Sequence, residues 1–194
     1  MTDDDRPRCY FAFRSPYSRL GLHKLRRAGV EPALHPFSGP PDGVAFQNPT
    51  DSPLKRAYYA EDVMRMTGLM GLPLAMPDPF DADFALADAV FHAADAAGAG
   101  MAFAIAASDA RWGEGRDLSD PAVLRAAAEA AGAAPDIVDG AQESEAARAG
   151  ERAARAAIAR DGVFGVPFLV ADGSRYWGQD RIDLYLARRE AASA

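Results

Sequence analysis

The chain reads as an α/β protein in which strands from its two ends meet in one mixed sheet, with a block of helices inserted between them. Three observations predict this. Strand character is confined to the ends of the chain, the stretch between them is alanine-rich with helical spacing, and 49% hydrophobic residues over 194 positions suffice for one substantial core.

Cys9, Tyr10, Phe11, Ala12 and Phe13 follow Arg8 without a polar break, the pattern of a strand buried on both faces. Ser15 and Pro16 suit the cap and first position of a helix whose Leu22 and Leu25 share a face and whose end is marked by Arg26, Arg27 and Gly29. A second strand is expected over Val30 to Phe37, weakened by Pro32 and Pro36, each of which lacks a ladder donor. Past Gly39 a Pro/Gly-rich loop leads to a helix opened by Ser52 and Pro53. Its Tyr59, Val63, Met66 and Met70 recur at helical spacing and read as core. Further helices are expected over 81–97, 101–112, 119–131 and 143–160. Phe168 to Ala171 and Ser174 to Trp177 flank Asp172 and Gly173, a pair suited to a two-residue hairpin, and a last helix carries Ile182, Tyr185 and Leu186 on one face.

The net charge of -7 points away from nucleic acid and anionic membrane surfaces and toward a small-molecule ligand. A single cysteine, Cys9, excludes an intrachain disulfide, a CxxC pair and a cysteine zinc site, and its place in an apolar strand makes it an inert core thiol. His23, His35 and His92 are isolated and lack ligand spacing, so no metal is expected. The acidic start MTDDDRPR is unlike a signal peptide and no run has the length of a membrane span, which together predict a cytoplasmic protein.

Four stretches carry a resemblance: FRSPYSRLG (13–21), EGRDLSDPAVL (114–124), GVFGVPFLV (162–170) and YWGQDRIDLY (176–185). In that order they resemble the 2-hydroxychromene-2-carboxylate isomerases and kappa-class glutathione transferases. The resemblance implies a thioredoxin-like mixed sheet, built from 6–40 and 162–190, with an inserted all-helical domain over 41–161, and a homodimer.

In related dithiol oxidoreductases a CxxC occupies the turn that FRSPYS fills, where the helix amides stabilise a thiolate. Ser15 cannot exchange disulfides, which excludes that activity, but its hydroxyl can donate to a thiolate that arrives with a ligand. The resemblance implies that this ligand is glutathione, or another low-molecular-weight thiol, and that Ser15 is the catalytic residue. It implies a cis bond before Pro167, with the Val166 backbone pairing to the cysteinyl part. It places Trp177, Gly178, Gln179 and Asp180 against the same ligand, with Asp180 accepting from the γ-glutamyl ammonium group. Asn48 and Lys55 match the family's ligand loop, and Arg14 or Lys55 would anchor a substrate carboxylate. Ala12, Arg19 and the 39–53 loop depart from the family pattern.

The function so implied is glutathione-dependent cis-trans isomerisation of an unsaturated aromatic oxo acid. Two alternatives stand beside it: a kappa-like glutathione transferase or peroxidase, and a non-catalytic module that binds a thiol or a pathway intermediate. Ser15 and Asp180 also suit helix caps, a role compatible with either.

Overall fold

The computed structural model describes residues 6–46 and 51–193. Strands β1 (Arg8–Phe11), β2 (Ala33–Pro36), β3 (Phe168–Ala171) and β4 (Ser174–Trp177) form one sheet in the order β2-β1-β3-β4. β1 runs parallel to β2 and antiparallel to β3, and β3 and β4 are an antiparallel hairpin. Helix α1 (Pro16–Arg27) connects β1 to β2. Five helices, α2 (Pro53–Leu69), α3 (Ala85–Ala96), α4 (Gly100–Glu114), α5 (Pro121–Ala130) and α6 (Glu145–Asp161), come between β2 and β3, and α7 (Gln179–Ser193) closes the chain.

Alternation along β1 sorts its side chains. Cys9 and Phe11 enter a core shared with Leu22, Leu25, Phe91 and Ile182, whereas Tyr10 packs on the other face with Ile158, Val163 and Phe168. Burial on both faces explains the unbroken apolar run, and it pushes the Cys9 thiol up to about 12, out of nucleophilic range. The turn at Asp172 and Gly173 has positive φ at both residues, 51° and 68°, the geometry that matches the twist of a two-residue hairpin.

Several expected boundaries move, each for a local reason. β1 stops at Phe11, not Phe13, because the Ala12 amide donates to Ser18 Oγ at 3.1 Å and its carbonyl accepts from Ser15 N at 3.0 Å. β2 is confined to Ala33–Pro36, between a proline at each end of its reach. α3 begins at Ala85 rather than Asp81, where the Ala85 amide donates to the Asp83 carboxylate at 2.9 Å. α5 is capped by Asp120, which accepts from Ala122 N, whereas Ser119 is turned to Asp117. The α2 stripe is not core: Val63 is buried, but Tyr59, Met66 and Met70 are half-buried and Leu54, Tyr58, Met64 and Leu69 are exposed. α2 meets the body of the protein along a narrow seam, so helical spacing alone overstated its burial.

Among the described residues no helix is long and apolar enough to cross a membrane, and no group of His, Cys, Asp and Glu could hold a metal ion.

Candidate active site

The strand register brings the motifs to one edge of the sheet. Parallel pairing sets the ends of β1 and β2 side by side, and antiparallel pairing starts β3 and ends β4 at that same edge. Ser15, Val166 with Pro167, and Gly178 with Asp180 are therefore neighbours in space although up to 165 positions separate them along the chain (180 − 15).

Ser15 is the N-cap of α1, in extended conformation, and its Oγ accepts from Ser18 N at 3.1 Å. The capping role is thus real and leaves the hydroxyl proton to be directed elsewhere. α1 has no acidic residue in its first turn and carries Lys24, Arg26 and Arg27 in its last, so nothing on the helix offsets the positive field of its N-terminal amides. The Val166–Pro167 bond is cis, and among the described residues the backbone N–H and C=O of Val166 have no hydrogen-bond partner. Such a peptide group can pair with an extended ligand. Gly178 N donates to Pro167 O at 2.9 Å and ties the end of β4 to this loop.

Around that centre the other expected residues divide. Gly178 has φ +99°, and a Cβ there would stand 2.8 Å from Asp180 Oδ1, so the carboxylate folds back over the glycine. Asp180 is exposed and accepts from Arg181 at 2.7 Å. The Gln179 and Asp180 amides at the start of α7 have no partner among the described residues. The Gln179 side chain, by contrast, is buried and accepts from Lys24 Nζ, which also reaches Asp183 at 2.6 Å. That side chain fastens α7 to α1. Trp177 is half-exposed and meets Phe164 edge to face at 4.8 Å, with Gly165 giving it room. Asn48 lies outside the described residues.

Arg14 is exposed, with its guanidinium 5.5 Å from the centre of the Phe84 ring. The same ring is contacted at 4.8 Å by Arg111, which is fully buried and donates to the carbonyls of Pro79 and Phe80. Lys55 is exposed, one turn before Tyr59 on the same stripe of α2. The departure at Arg19 is also resolved: its buried guanidinium donates to Asp109 at 2.6 Å and Pro73 O at 2.7 Å, and His23 meets the same carboxylate at 2.8 Å. His23 thereby joins α1 to α4 through Asp109.

Sequence reasoning missed Tyr59 as a site residue. Burial pushes its phenol up to about 12, against a smaller opposing effect of the neighbouring Ser15 side chain. Its ring stands edge to face on Tyr17 at 4.8 Å, and the Tyr17 hydroxyl donates to Asp62 at 2.5 Å. The available signal was the spacing of four from Lys55, which places both on one face of α2. A separate cavity of about 260 Å³ opens between the end of β2, α3 and α6, lined by Asp88, His92 and Glu151 among others and not by Ser15.

A mixed sheet with a helix N-terminus and a cis-proline loop at one edge defines a thioredoxin-fold protein. The chain belongs to the family of the DSBA-like thioredoxin domain, whose model matches residues 8–188. It is 33% identical over 184 residues to 2-hydroxychromene-2-carboxylate isomerase from Sphingobium xenophagum, covering 90% of this chain and 92% of that one. Among solved structures it is similar to a 2-hydroxychromene-2-carboxylate isomerase, with TM-score 0.75 and 24% identity over 97% of this chain and 98% of the other. It is also similar to the cytosolic disulfide reductase DsbM from Pseudomonas aeruginosa, with TM-score 0.60 and 22% identity over 96% and 97% of the two chains. The fold is thus shared with thiol–disulfide proteins, whereas the turn that begins α1 has no cysteine.

Proposed function

We propose that the protein is a glutathione-dependent cis-trans isomerase of an unsaturated aromatic oxo acid, resembling 2-hydroxychromene-2-carboxylate isomerase. The observation that carries this reading is Ser15: a hydroxyl capping an unopposed helix N-terminus, beside a cis-proline loop with an unpaired peptide group, in a chain whose one cysteine is buried elsewhere. The residues fit a γ-glutamyl thiol. Val166 offers strand-like pairing, the Gln179 and Asp180 amides offer donors to a carboxylate, and the Asp180 side chain offers an acceptor to an ammonium group.

When bound, the thiol would supply reversible addition of its sulfur to the conjugated double bond, which makes that bond single long enough to rotate and returns the thiol unchanged. The chain's own residues prepare this. Ser15 donates to the sulfur anion, and the α1 amides add a field that favours the ionised form. Arg14 and Lys55, both exposed, are the cations we assign to a substrate carboxylate, with Arg14 set over the Phe84 ring. The homodimer implied by the family belongs with this reading; the exposed Leu54, Tyr58, Met64 and Leu69 of α2 are an apolar surface available to a second copy.

The test is isomerisation of 2-hydroxychromene-2-carboxylate followed with and without glutathione while free thiol is counted. Turnover that requires the thiol and leaves its amount constant is the expected result. Steady consumption of thiol would assign a transferase, and binding without turnover a carrier.

A further inference from the structure

Arg19 and Arg111 are both fully buried, and the fold treats them differently. Arg19 has a counter-charge, the Asp109 carboxylate at 2.6 Å. Among the described residues Arg111 has none in hydrogen-bond contact. It donates to the carbonyls of Pro79 at 3.4 Å and Phe80 at 2.5 Å, and its Nε has no partner. A guanidinium stays charged, and burying a charge without an opposite one is costly. Burial and Arg14 work against this cation, and Asp117 and Asp81 offset it only in part. The charge lies beside the turn that carries Ser15. The Arg111 guanidinium carbon is 4.8 Å from the centre of the Phe84 ring, and that of Arg14, the residue before Ser15, is 5.5 Å from the same centre. Trp112, whose ring Arg111 also overlies at 5.5 Å, donates from Nε1 to Phe13 O at 2.9 Å and ties α4 to the start of that turn. Two like charges are thus held against one aromatic ring, Arg14 in solvent and Arg111 shut away from it.

We infer that Arg111 is a specificity-determining charge for the substrate side of the site: acting across the Phe84 ring that it shares with Arg14, it makes the Arg14 edge select an aromatic carboxylate over a neutral ligand of the same shape. This rests on the proposed function for the class of substrate, and it assigns a residue that the family resemblance did not. Arg111 has no exposed surface, so it does not touch the ligand and acts through space. Protein, not water, surrounds it, and its attraction for an anion is therefore screened less than that of exposed Arg14. Arg14 supplies the contact and Arg111 a fixed field. An anion at Arg14 offsets a buried charge and relieves the repulsion between the two guanidinium groups; a neutral ligand does neither. Selectivity is that difference of affinities. The apolar part of such a ligand meets half-buried Phe84 and exposed Phe80, which stands edge to face with Trp112 at 6.4 Å.

The experiment is calorimetric titration of the full-length chain, without glutathione, with trans-cinnamate and with cinnamamide, its neutral counterpart of nearly the same shape. Wild type, Arg111→Met and Arg111→Lys are compared. Wild type is expected to bind the acid about tenfold more tightly than the amide. Arg111→Met is expected to cut that preference by about threefold or more with amide affinity little changed, and Arg111→Lys, which keeps the charge, to retain most of it. No preference in wild type, or a full preference in Arg111→Met, would overturn the inference. So would an equal loss of acid and amide binding, the mark of a merely structural role. A salt series on wild type gives a readout that needs no variant to fold. Most of the preference is expected to persist from about 0.05 M to about 0.5 M sodium chloride, because a buried charge is screened little. Its collapse over that range would assign the selection to exposed Arg14 alone and overturn the role of Arg111. Since no thiol is present, failure of this inference and failure of the isomerase reading are distinguishable. A protein that prefers the acid but binds no glutathione keeps Arg111 and loses the isomerase, and one that binds glutathione without preferring the acid does the reverse.

Discussion

The Pro167 ring lies against the bare Cα of Gly21: a Cβ at that position would stand 3.3 Å from Pro167 Cβ and 2.8 Å from Ile182 Cδ1. Glycine in the middle of α1 is therefore the condition for bringing the cis-proline loop and α7 onto the helix that presents Ser15.

Gly21→Ala is expected to lower stability. Alanine gains about 1 kcal/mol of helix propensity, but overpacking a buried contact costs about 1–3 kcal/mol. The rigid proline ring cannot yield as a long side chain would, so the net loss is about 1 kcal/mol in urea denaturation. Thiol binding should weaken with it, because Pro167 and Val166 move together.

Ser15→Ala and Asp180→Asn should separate the two halves of thiol recognition. Calorimetry is expected to show weaker glutathione binding by Asp180→Asn, about fivefold for an exposed charge pair. Affinity for Ser15→Ala should change less than the pKa of the bound thiol, and the lost cap should cost about 1 kcal/mol of stability. Equal affinity loss with no change of thiol pKa in Ser15→Ala would leave the serine as a cap alone.

Asp88 and His35 give stability two opposing dependences on pH. Burial, reinforced by Asp83 and Glu151, raises Asp88 to about 7, above the ordinary 3.8. The folded protein therefore keeps a proton that the unfolded chain releases, and this contribution is full near pH 4 and lost as pH rises to about 7. Burial lowers His35, stacked on Tyr10, from 6.5 to about 4, so its contribution is full above pH 6.5 and lost as pH falls to about 4. Asp88→Asn should gain on wild type by about 1–2 kcal/mol between pH 4 and pH 7, a figure reduced because Asp88 is partly exposed at the adjoining cavity. His35→Phe, which keeps a ring on Tyr10, should gain on wild type as the pH is lowered from 6.5 to 4. Denaturation at a series of pH values checks both signs.

Among the described residues buried Arg111 has no carboxylate in hydrogen-bond contact; its donors go to Pro79 O and Phe80 O and its guanidinium carbon lies over the Phe84 and Trp112 rings. Arg111→Met fills similar volume but strands two carbonyls, for a loss of about 2 kcal/mol. Phe84 would lose its support beneath Arg14, so turnover of an aromatic carboxylate should show a raised KM with thiol binding unchanged.

Much of the fold was legible because it is written in neighbours along the chain. Ser15 with Pro16, Ser52 with Pro53, the double positive-φ turn at Asp172 and Gly173, and the unbroken run in β1 each act within a few residues. The contact between the Gln179 side chain and Lys24 was not legible for the opposite reason: the two residues are 155 positions apart. Tyr59 was misread as core because periodicity reports which residues share a face and not what that face meets.

By itself, then, the sequence determined the order of the elements, their caps and turns, and the absence of any cysteine at the start of α1, since these follow from backbone preferences and residue chemistry that act locally. Tertiary structure alone decided that the Gln179 side chain meets Lys24, that Gly21 admits Pro167, and that Arg14 rests on Phe84. Those meetings depend on how helices and strands pack at angles and depths that no local pattern encodes.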